Sequence, residues 1–436
     1  MTAVMFVLGV LLFTVGLALS VGLHELGHLV PGKLFGVKVT QYFIGFGPTL
    51  WSRQRGETEY GVKAVPLGGY VKLVGMIPPG DRTRAAGPRR SRGIFSQLVD
   101  DARHAGSDEI EGVPPDRLFY RLPWWKKVVV MVSGVMTNIV LAFLLFAVVF
   151  MGHGINVPTT TVDGVSRCVV VVTRASAQAP RTCQPGDPVS PARKAGFRTG
   201  DKVLSFNGTR IRSWDQLRSV ISRNGDRTAD IVVRRDGRQV TLHATTSVSP
   251  RLDPGNPERI TKVGFLGVGP AQRLVRQSPA FVVDTMASGT WQTVQGIVTL
   301  PPKLYHVGRA ALGLEQRDQN GPMSVVGAGR VAGEMTSAHT VPLSDRFFSV
   351  LLLLAGLNLF LGLLNLVPLL PLDGGQIAGA LYEAVRRGVA RLLHRPDPGF
   401  VDIAKLLPVG YVMAGVILVA SVVLIYADIV APVSLT

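Results

Sequence analysis

Residues 21–30 read VGLHELGHLV, in which two histidines flank a glutamate at a spacing suited to metal chemistry. On a helix, His24 and His28 lie one turn apart on the same face, with Glu25 beside them. Two neutral imidazoles can bind zinc, and the glutamate can act as general base toward a water molecule. The alternative is a pair of histidines that are hydrogen-bonded between packed helices.

The surroundings of this motif favour the metal site. It lies in the apolar block Val4–Val30, which is otherwise free of charge. Ionisable residues inside a membrane span are costly and are usually functional. The block has no basic residue before it, exceeds the usual length of a signal-peptide core and is not followed by a cleavage site. We therefore expect a retained span.

A catalytic zinc site usually needs a third protein ligand. Pro31 and Leu34 occupy the places where a metzincin would have its glycine and third histidine. Asp373 ends the third apolar block in NLVPLLPLDGG, and spans one and three run in the same direction. Asp373 is therefore expected at a depth similar to that of His28; the alternative is a turn residue before two glycines.

Composition predicts a polytopic membrane protein. The chain has 436 residues and a net charge of +17, and its mean hydropathy is +0.30 although 17% of its residues are charged. Four apolar blocks are each long enough to span a bilayer: Val4–Val30, Val128–Gly152, Phe347–Leu372 and Leu406–Ile429. The basic residues are spread over several loops without an aromatic-studded module, so we expect contact with anionic lipid and no nucleic acid partner.

Charge also predicts topology. The loop at 31–127 carries sixteen Lys and Arg residues and the loop at 376–405 carries five, which places both in the cytoplasm. The N-terminus, the segment at 153–346 and the C-terminus are then outside. Both cysteines, Cys168 and Cys183, fall in that outer segment, where a disulfide would suit an oxidising compartment; two unrelated thiols are the alternative.

Two segments predict β structure. Gln41–Ser52 and Glu59–Leu73 are rich in aromatic and β-branched residues and predict a hairpin region. Between spans two and three, a helix at Pro191–Ala195, a strand at Lys202–Phe206 and a helix at Ser213–Ile221 precede a hairpin with an Asp-Gly turn. This order resembles a PDZ domain, which binds peptides at a sheet edge; a spacer domain is the alternative.

Taken together, the motifs resemble the bacterial site-2 proteases, which are intramembrane zinc metalloproteases, and are closest to the actinobacterial type with a single PDZ domain. The motifs that carry this resemblance are His24-Glu25-Leu26-Gly27-His28, Gly45-Phe46-Gly47-Pro48, Pro66-Leu67-Gly68-Gly69-Tyr70-Val71, the PDZ-like segment and Asn365-x-x-Pro368-x-x-x-Leu372-Asp373-Gly374. The resemblance implies that His24, His28 and Asp373 bind Zn²⁺, that Glu25 is the base and that Asn365 contacts the substrate. Gly68, Gly69, Tyr70 and Val71 are expected to pair with an extended substrate peptide; an ordinary turn is the alternative.

The expected fold is a polytopic α-helical membrane protein with four transmembrane helices, a membrane-associated β-hairpin region and an extracytoplasmic PDZ domain. The predicted parts are transmembrane helix 1 (1–30), a cytoplasmic-side β region (31–76), a mobile cytoplasmic insertion with an interfacial anchor (77–126), transmembrane helix 2 (127–152), the PDZ domain (153–275), a connecting region (276–346), transmembrane helix 3 with the LDG motif (347–375), a cytoplasmic loop (376–405) and transmembrane helix 4 (406–430).

The expected function is hydrolysis of peptide bonds in or near the transmembrane segment of a single-span protein in the cytoplasmic (inner) cell membrane. The resemblance implies an anti-sigma factor that another protease has already cleaved. An inactive membrane scaffold and a metal transporter are the alternatives. An intact HExxH motif argues against the scaffold, and a transporter would not explain Glu25 or the PDZ-like segment.

Overall fold

The computed structural model describes residues 2–79, 106, 109–169, 182–253, 256–318, 321–339 and 341–433. Residues 80–105, 107 and 108 of the predicted mobile insertion lie outside this described part. The chain divides into two compact units, one formed by Met1–His153 with Ser278–Thr436 and the other by Gly154–Gln277.

The elements are numbered in chain order. The helices are α1 (Thr2–Leu34), α2 (Trp124–Ala147), α3 (Pro191–Lys194), α4 (Trp214–Arg223), α5 (Pro279–Val298), α6 (Leu300–Ala311), α7 (Val325–Ser337), α8 (Leu343–Asn365), α9 (Asp373–Leu392) and α10 (Leu407–Val430). The strands are β1 (Val39–Arg55), β2 (Thr58–Leu73), β3 (Ile155–Val165), β4 (Lys202–Phe206), β5 (Thr209–Arg210), β6 (Thr228–Arg235), β7 (Arg238–Thr245), β8 (Ser247–Asp253), β9 (Asn256–Phe265) and β10 (Val268–Val275).

Within the described residues, four helices are long and apolar enough to cross a membrane, as the sequence predicts. They are α1, α2 with its continuation to His153, α8, and α10 with the short turn that precedes it from Ile403. At a rise of 1.5 Å per residue, the 33 residues of α1 extend about 50 Å, which exceeds the hydrocarbon thickness of about 30 Å. The end of α1 therefore has room to leave the apolar layer.

The third span ends earlier than expected. The sequence predicts a helix to residue 375, whereas α8 ends at Asn365 and Asp373 is the first residue of α9. Pro368 and Pro371 lie between the two helices, and proline interrupts helical hydrogen bonding. The predicted loop at 376–405 consequently contains most of α9, and the metal-binding candidate stands at the start of a helix rather than the end of a span.

The β-hairpin region folds into more than a simple hairpin. Residues 41–44 of β1 pair with 69–72 on one side and with 59–62 on the other, while 49–55 pair with 58–63. Both long strands bend, with Gly45, Gly47 and Gly68 at positive φ, a conformation that glycine adopts without steric cost. The two bent strands therefore form a sheet of four segments, in the order residues 69–73, 39–46, 58–65 and 49–55.

The unit at Gly154–Gln277 has its own hydrophobic core. Its main sheet has the order β10-β3-β4-β6-β7, with β5 paired to β4, and β8 and β9 form a separate hairpin. The core includes Phe206, Leu217 and Ile231, all at most 3% exposed. The predicted helices and strands of this segment occur as α3, β4 and α4, and Asp236 and Gly237 form the turn between β6 and β7 at positive φ.

Candidate metal centre

Three side chains that are distant in sequence meet at one point. Nε2 of His24 lies 3.2 Å from Nε2 of His28, and Oδ2 of Asp373 lies 3.2 Å and 3.3 Å from these two nitrogens. Among the described residues, these form a group of potential metal ligands with both histidines buried. Ligands held at about 2.05 Å around a tetrahedral ion lie about 3.3 Å apart. The spacing of the three atoms therefore fits a zinc-sized ion.

The orientation of His28 favours metal binding. Its Nδ1 lies 2.8 Å from the backbone carbonyl oxygen of Val130, which can only accept a hydrogen bond. Nδ1 must therefore carry the proton, which leaves the lone pair of a neutral ring on Nε2. A hydrogen bond of this kind commonly fixes the tautomer of a metal-binding histidine.

Two glycines make room for this histidine between α1 and α2. A Cβ atom added to Gly134 would lie 2.2 Å from Nε2 of His28, and one added to Gly27 would lie 2.8 Å from the Cα of Gly134. Small residues let membrane helices approach closely. The close packing of these helices brings the carbonyl of Val130 within reach of His28.

Asp373 reaches the histidines because α9 begins against the chain that precedes it. A Cβ atom on Gly374 would lie 2.2 Å from the carbonyl oxygen of Val367, and one on Gly375 would lie 2.8 Å from the backbone nitrogen of Leu370. Any side chain at these positions would push the first turn of α9 away. The glycines after Asp373 therefore have a packing role that places its carboxylate.

Two further candidates border the cluster. Nδ2 of Asn365 lies 3.4 Å from Nε2 of His24, which places this amide at the edge of the site. Glu25 follows His24 on α1 and is partly exposed, and the backbone N–H of Val71 is directed at its carboxylate. A carboxylate beside the ligands can exchange protons with a reacting group.

The segment Gly68–Val71 runs beside α1 as an edge of the sheet. Gly69 pairs with Ile44 on one side, and the described residues place no strand on its other side. A Cβ atom on Gly69 would lie 3.2 Å from Cγ of Glu25, and one on Gly68 would lie 2.5 Å from the ring of Phe46. The nearest atom to that added Cβ on Gly69 is the backbone oxygen of Phe43 at 2.8 Å, so this glycine accommodates both a neighbouring strand and α1, and the pairing of the segment with a substrate backbone stays a prediction.

The unit at Gly154–Gln277 has its own polar features among the described residues. Cys168 and Cys183 form a disulfide there, with their Cα atoms 5.9 Å apart. Asp201, which is fully buried, accepts hydrogen bonds from Nε and Nη2 of Arg235, both at 2.7 Å. Burial alone would raise the pKa of Asp201, but these bonds and one from the backbone N–H of Arg198 hold the pKa below its ordinary value.

Sequence reasoning did not identify Val130 or Gly134. Val130 acts through its backbone, so its side chain carries no signal. Gly134 does carry one, because a glycine inside an apolar span often marks a close helix contact. The sequence could therefore have indicated the glycine, but not the partner that it accommodates.

Comparisons with known proteins identify relatives of this chain. A model described as Peptidase family M50 matches residues 12–393, which include all three ligand candidates. The protein named zinc metalloprotease Rip1 from Mycobacterium tuberculosis is 34% identical over 443 residues, covering 99% of each chain. Rip1 from Mycolicibacterium smegmatis is 32% identical over 446 residues with the same coverage, and metalloprotease MmpA from Caulobacter vibrioides is 29% identical over 388 residues, or 86% of each chain.

A match over most of the chain and a relative with 34% identity across its whole length support the same assignment. The chain belongs to peptidase family M50.

Proposed function

We propose that this protein is an intramembrane zinc endopeptidase that cleaves membrane-anchored proteins in or near their transmembrane segment. The observation that carries the proposal is the convergence of His24, His28 and Asp373 beside Glu25. The relatives Rip1 and MmpA are named metalloproteases, Rip1 with zinc in its name. A scaffold would not need such a cluster, and a transporter would not need a base next to it.

His24, His28 and Asp373 would hold the ion. When bound, zinc supplies Lewis-acid polarisation of the scissile carbonyl and of the attacking water. Glu25 would take a proton from that water on a carboxylate oxygen and return it to the amine nitrogen of the leaving fragment. Asn365 would donate from Nδ2 to the substrate backbone or the reacting carbonyl, since this atom lies at the edge of the cluster.

The edge at Gly68–Val71 would hold the substrate. Carbonyl groups in a substrate helix are hydrogen-bonded within the helix, so the peptide must be extended before it is attacked. An extended peptide could pair with the edge of the sheet opposite Ile44 and Phe43, next to Glu25. This pairing would supply the hydrogen bonds that the substrate loses as its helix unwinds.

The unit at Gly154–Gln277 would act as a PDZ domain that binds peptide or excludes bulky substrates. Its sheet ends in the edge strands β10 and β7, and edge strands are where PDZ domains add a peptide. This unit would lie outside the cytoplasmic membrane: its disulfide suits an oxidising compartment, and the positive-inside rule assigns the basic loops on either side of it to the cytoplasm. The favoured substrate is a pre-cleaved anti-sigma factor, as the resemblance to site-2 proteases implies.

The decisive experiment is cleavage of a single-span substrate by the purified protein in detergent with zinc. Glu25→Gln should abolish cleavage while zinc is retained, because the change removes the proton acceptor and spares the three ligands. Glu59→Gln makes the same change on β2 and should cleave like the wild type. Undiminished cleavage by Glu25→Gln would overturn the mechanism. Absence of stoichiometric zinc in the wild type would favour the scaffold, and zinc uptake into vesicles would favour the transporter.

A further inference from the structure

A buried ion pair joins the first turn of α2 to the middle of α9. Nζ of Lys127 lies 2.7 Å from Oε2 of Glu383, and the two side chains are 7% and 2% exposed. The partners are 256 residues apart in sequence. Removing one partner of such a pair leaves an uncompensated buried charge, so the pair resists separation of the two helices.

Neighbouring groups fix Glu383 further. Nη2 of Arg387 lies 3.3 Å from Oε1 of Glu383, and the backbone N–H of Val401 donates to Oε2 at 3.4 Å. The ring of Phe400 has the Lys127 ammonium 5.1 Å and the Arg387 guanidinium 4.9 Å from its centre. The carboxylate therefore has cations from both helices and a loop segment around it, which leaves little freedom in the position of α9.

The same two helices carry the parts of the metal centre that come from outside α1. Lys127 lies three residues before Val130, whose carbonyl oxygen orients His28, and this separation is about 4.5 Å along α2. Glu383 lies ten residues after Asp373, or about 15 Å along α9. A shift of α9 against α2 at the ion pair would therefore move the Asp373 carboxylate relative to the ring of His28.

We propose that Lys127 and Glu383 are positioning residues that set the distance between Asp373 and His28, and with it the affinity for zinc. This inference rests on the proposed zinc centre. Partners beyond the ligands commonly change metal affinity by 10- to 100-fold, and a pair acting through two helices should lie at the lower end of that range.

The chain contains a matched control. Arg317 and Asp428 form another buried ion pair at 3.0 Å, with side chains 6% and 2% exposed. Asp428 lies near the end of α10 and accepts a hydrogen bond from the backbone N–H of Ser324 at the start of α7. Neither of these helices supplies a ligand or orients one, so this pair should affect stability without affecting the metal.

The test compares two neutral double variants of the full chain in detergent. Lys127→Met with Glu383→Gln removes both charges of the pair, and Arg387 keeps Asp397 as its acidic neighbour at 3.6 Å. Arg317→Met with Asp428→Asn removes both charges of the control pair. Zinc affinity is measured by competition with a chromogenic chelator, ligand geometry by the visible absorption of the Co²⁺-substituted protein, and stability by thermal unfolding. We expect about tenfold weaker zinc binding and an altered Co²⁺ spectrum for the first variant alone.

Equal zinc affinity in the first variant and the wild type would overturn the proposal, as would equal losses in both double variants. Glu383→Asp provides a second test if the neutral variant does not fold. It keeps both charges and shortens the side chain by about 1.5 Å, so the helices must shift to restore the pair. We expect weaker zinc binding and a changed Co²⁺ spectrum, and an unchanged spectrum would contradict the proposal. A wild type without zinc would instead refute the proposed function.

Discussion

Buried polar groups serve different ends in the two units of this molecule. In the membrane unit, His24, His28 and Asp373 bring three electron-rich atoms together at 3.2–3.3 Å, an arrangement that a cation would stabilise. In the unit at Gly154–Gln277, the buried carboxylate of Asp201 is already matched by the guanidinium of Arg235. The first arrangement is suited to binding a ligand and the second to maintaining a fold. Substitutions in the first arrangement should therefore impair metal binding and cleavage without destabilising the unit at Gly154–Gln277. Substitutions in the second should destabilise that unit without changing the metal content.

The largest expected effect is loss of the metal. His28→Ala removes one of three ligands, and we expect stoichiometric zinc to be lost and cleavage to fall by at least about a thousandfold. Metal analysis and the cleavage assay measure both, while hydrogen exchange at 154–277 should match the wild type. Slower cleavage accompanied by faster hydrogen exchange at 154–277 would show that the substitution also destabilises the second unit, which would contradict the comparison. His243→Ala, on the exposed face of β7, is the matched control and should retain zinc.

Asp201→Asn tests the other side of the comparison. Loss of the ion pair with Arg235 should destabilise the unit at Gly154–Gln277 by about 3 kcal/mol, or roughly 150-fold in its local unfolding equilibrium. Hydrogen exchange of the full chain measures this effect, and zinc content should not change. Asp230→Asn, at an exposed pair with His243, should have little effect.

The same carboxylate predicts a pH dependence. Because the folded unit holds the pKa of Asp201 below its ordinary value, the stabilisation is present at neutral pH. It is lost as the pH falls below about 4 and then through the lower pKa of the folded state. The wild type should lose protection at 154–277 over that range, and Asp201→Asn should show a weaker dependence. Identical pH profiles would show that other groups control stability.

Asn365→Ala should separate catalysis from metal binding within the membrane unit. Loss of one donor to the reacting carbonyl typically costs about 100-fold or more in rate, so we expect cleavage to fall by about 100-fold with zinc retained. Asn358→Ala offers a comparison on the same helix, because that buried amide donates to Oγ of Ser20, one turn before His24 on α1, rather than to a ligand candidate. Loss of zinc in Asn365→Ala would mean that the amide supports the ligands instead.

The smallest expected effect is on zinc affinity when the contact between α1 and α2 at Gly134 is altered. Gly134→Ala places a methyl group against the ring of His28, so the ring or α2 must shift. We expect about tenfold weaker zinc binding, similar to the loss of a partner that orients a ligand. Gly152→Ala near the end of the same span meets no atom within 4 Å and should bind zinc normally. Unaltered affinity in Gly134→Ala would show that the helices can separate without disturbing His28.

The chain alone determined the four spans, the β region, most elements of the second unit and the ligand candidates. Spans follow from the length of apolar runs, and His24 and His28 meet because helical periodicity places residues four apart on one face. These are local properties, so they can be read without knowing which elements pack together.

Only the tertiary structure decided how distant parts combine. The break after Asn365 moves Asp373 from the end of a span to the first turn of α9, and prolines alone did not predict where the helix would resume. The hydrogen bond from His28 to Val130 and the ion pair between Lys127 and Glu383 join residues more than 100 positions apart. Such contacts depend on helix packing, which the pattern of any single segment does not specify.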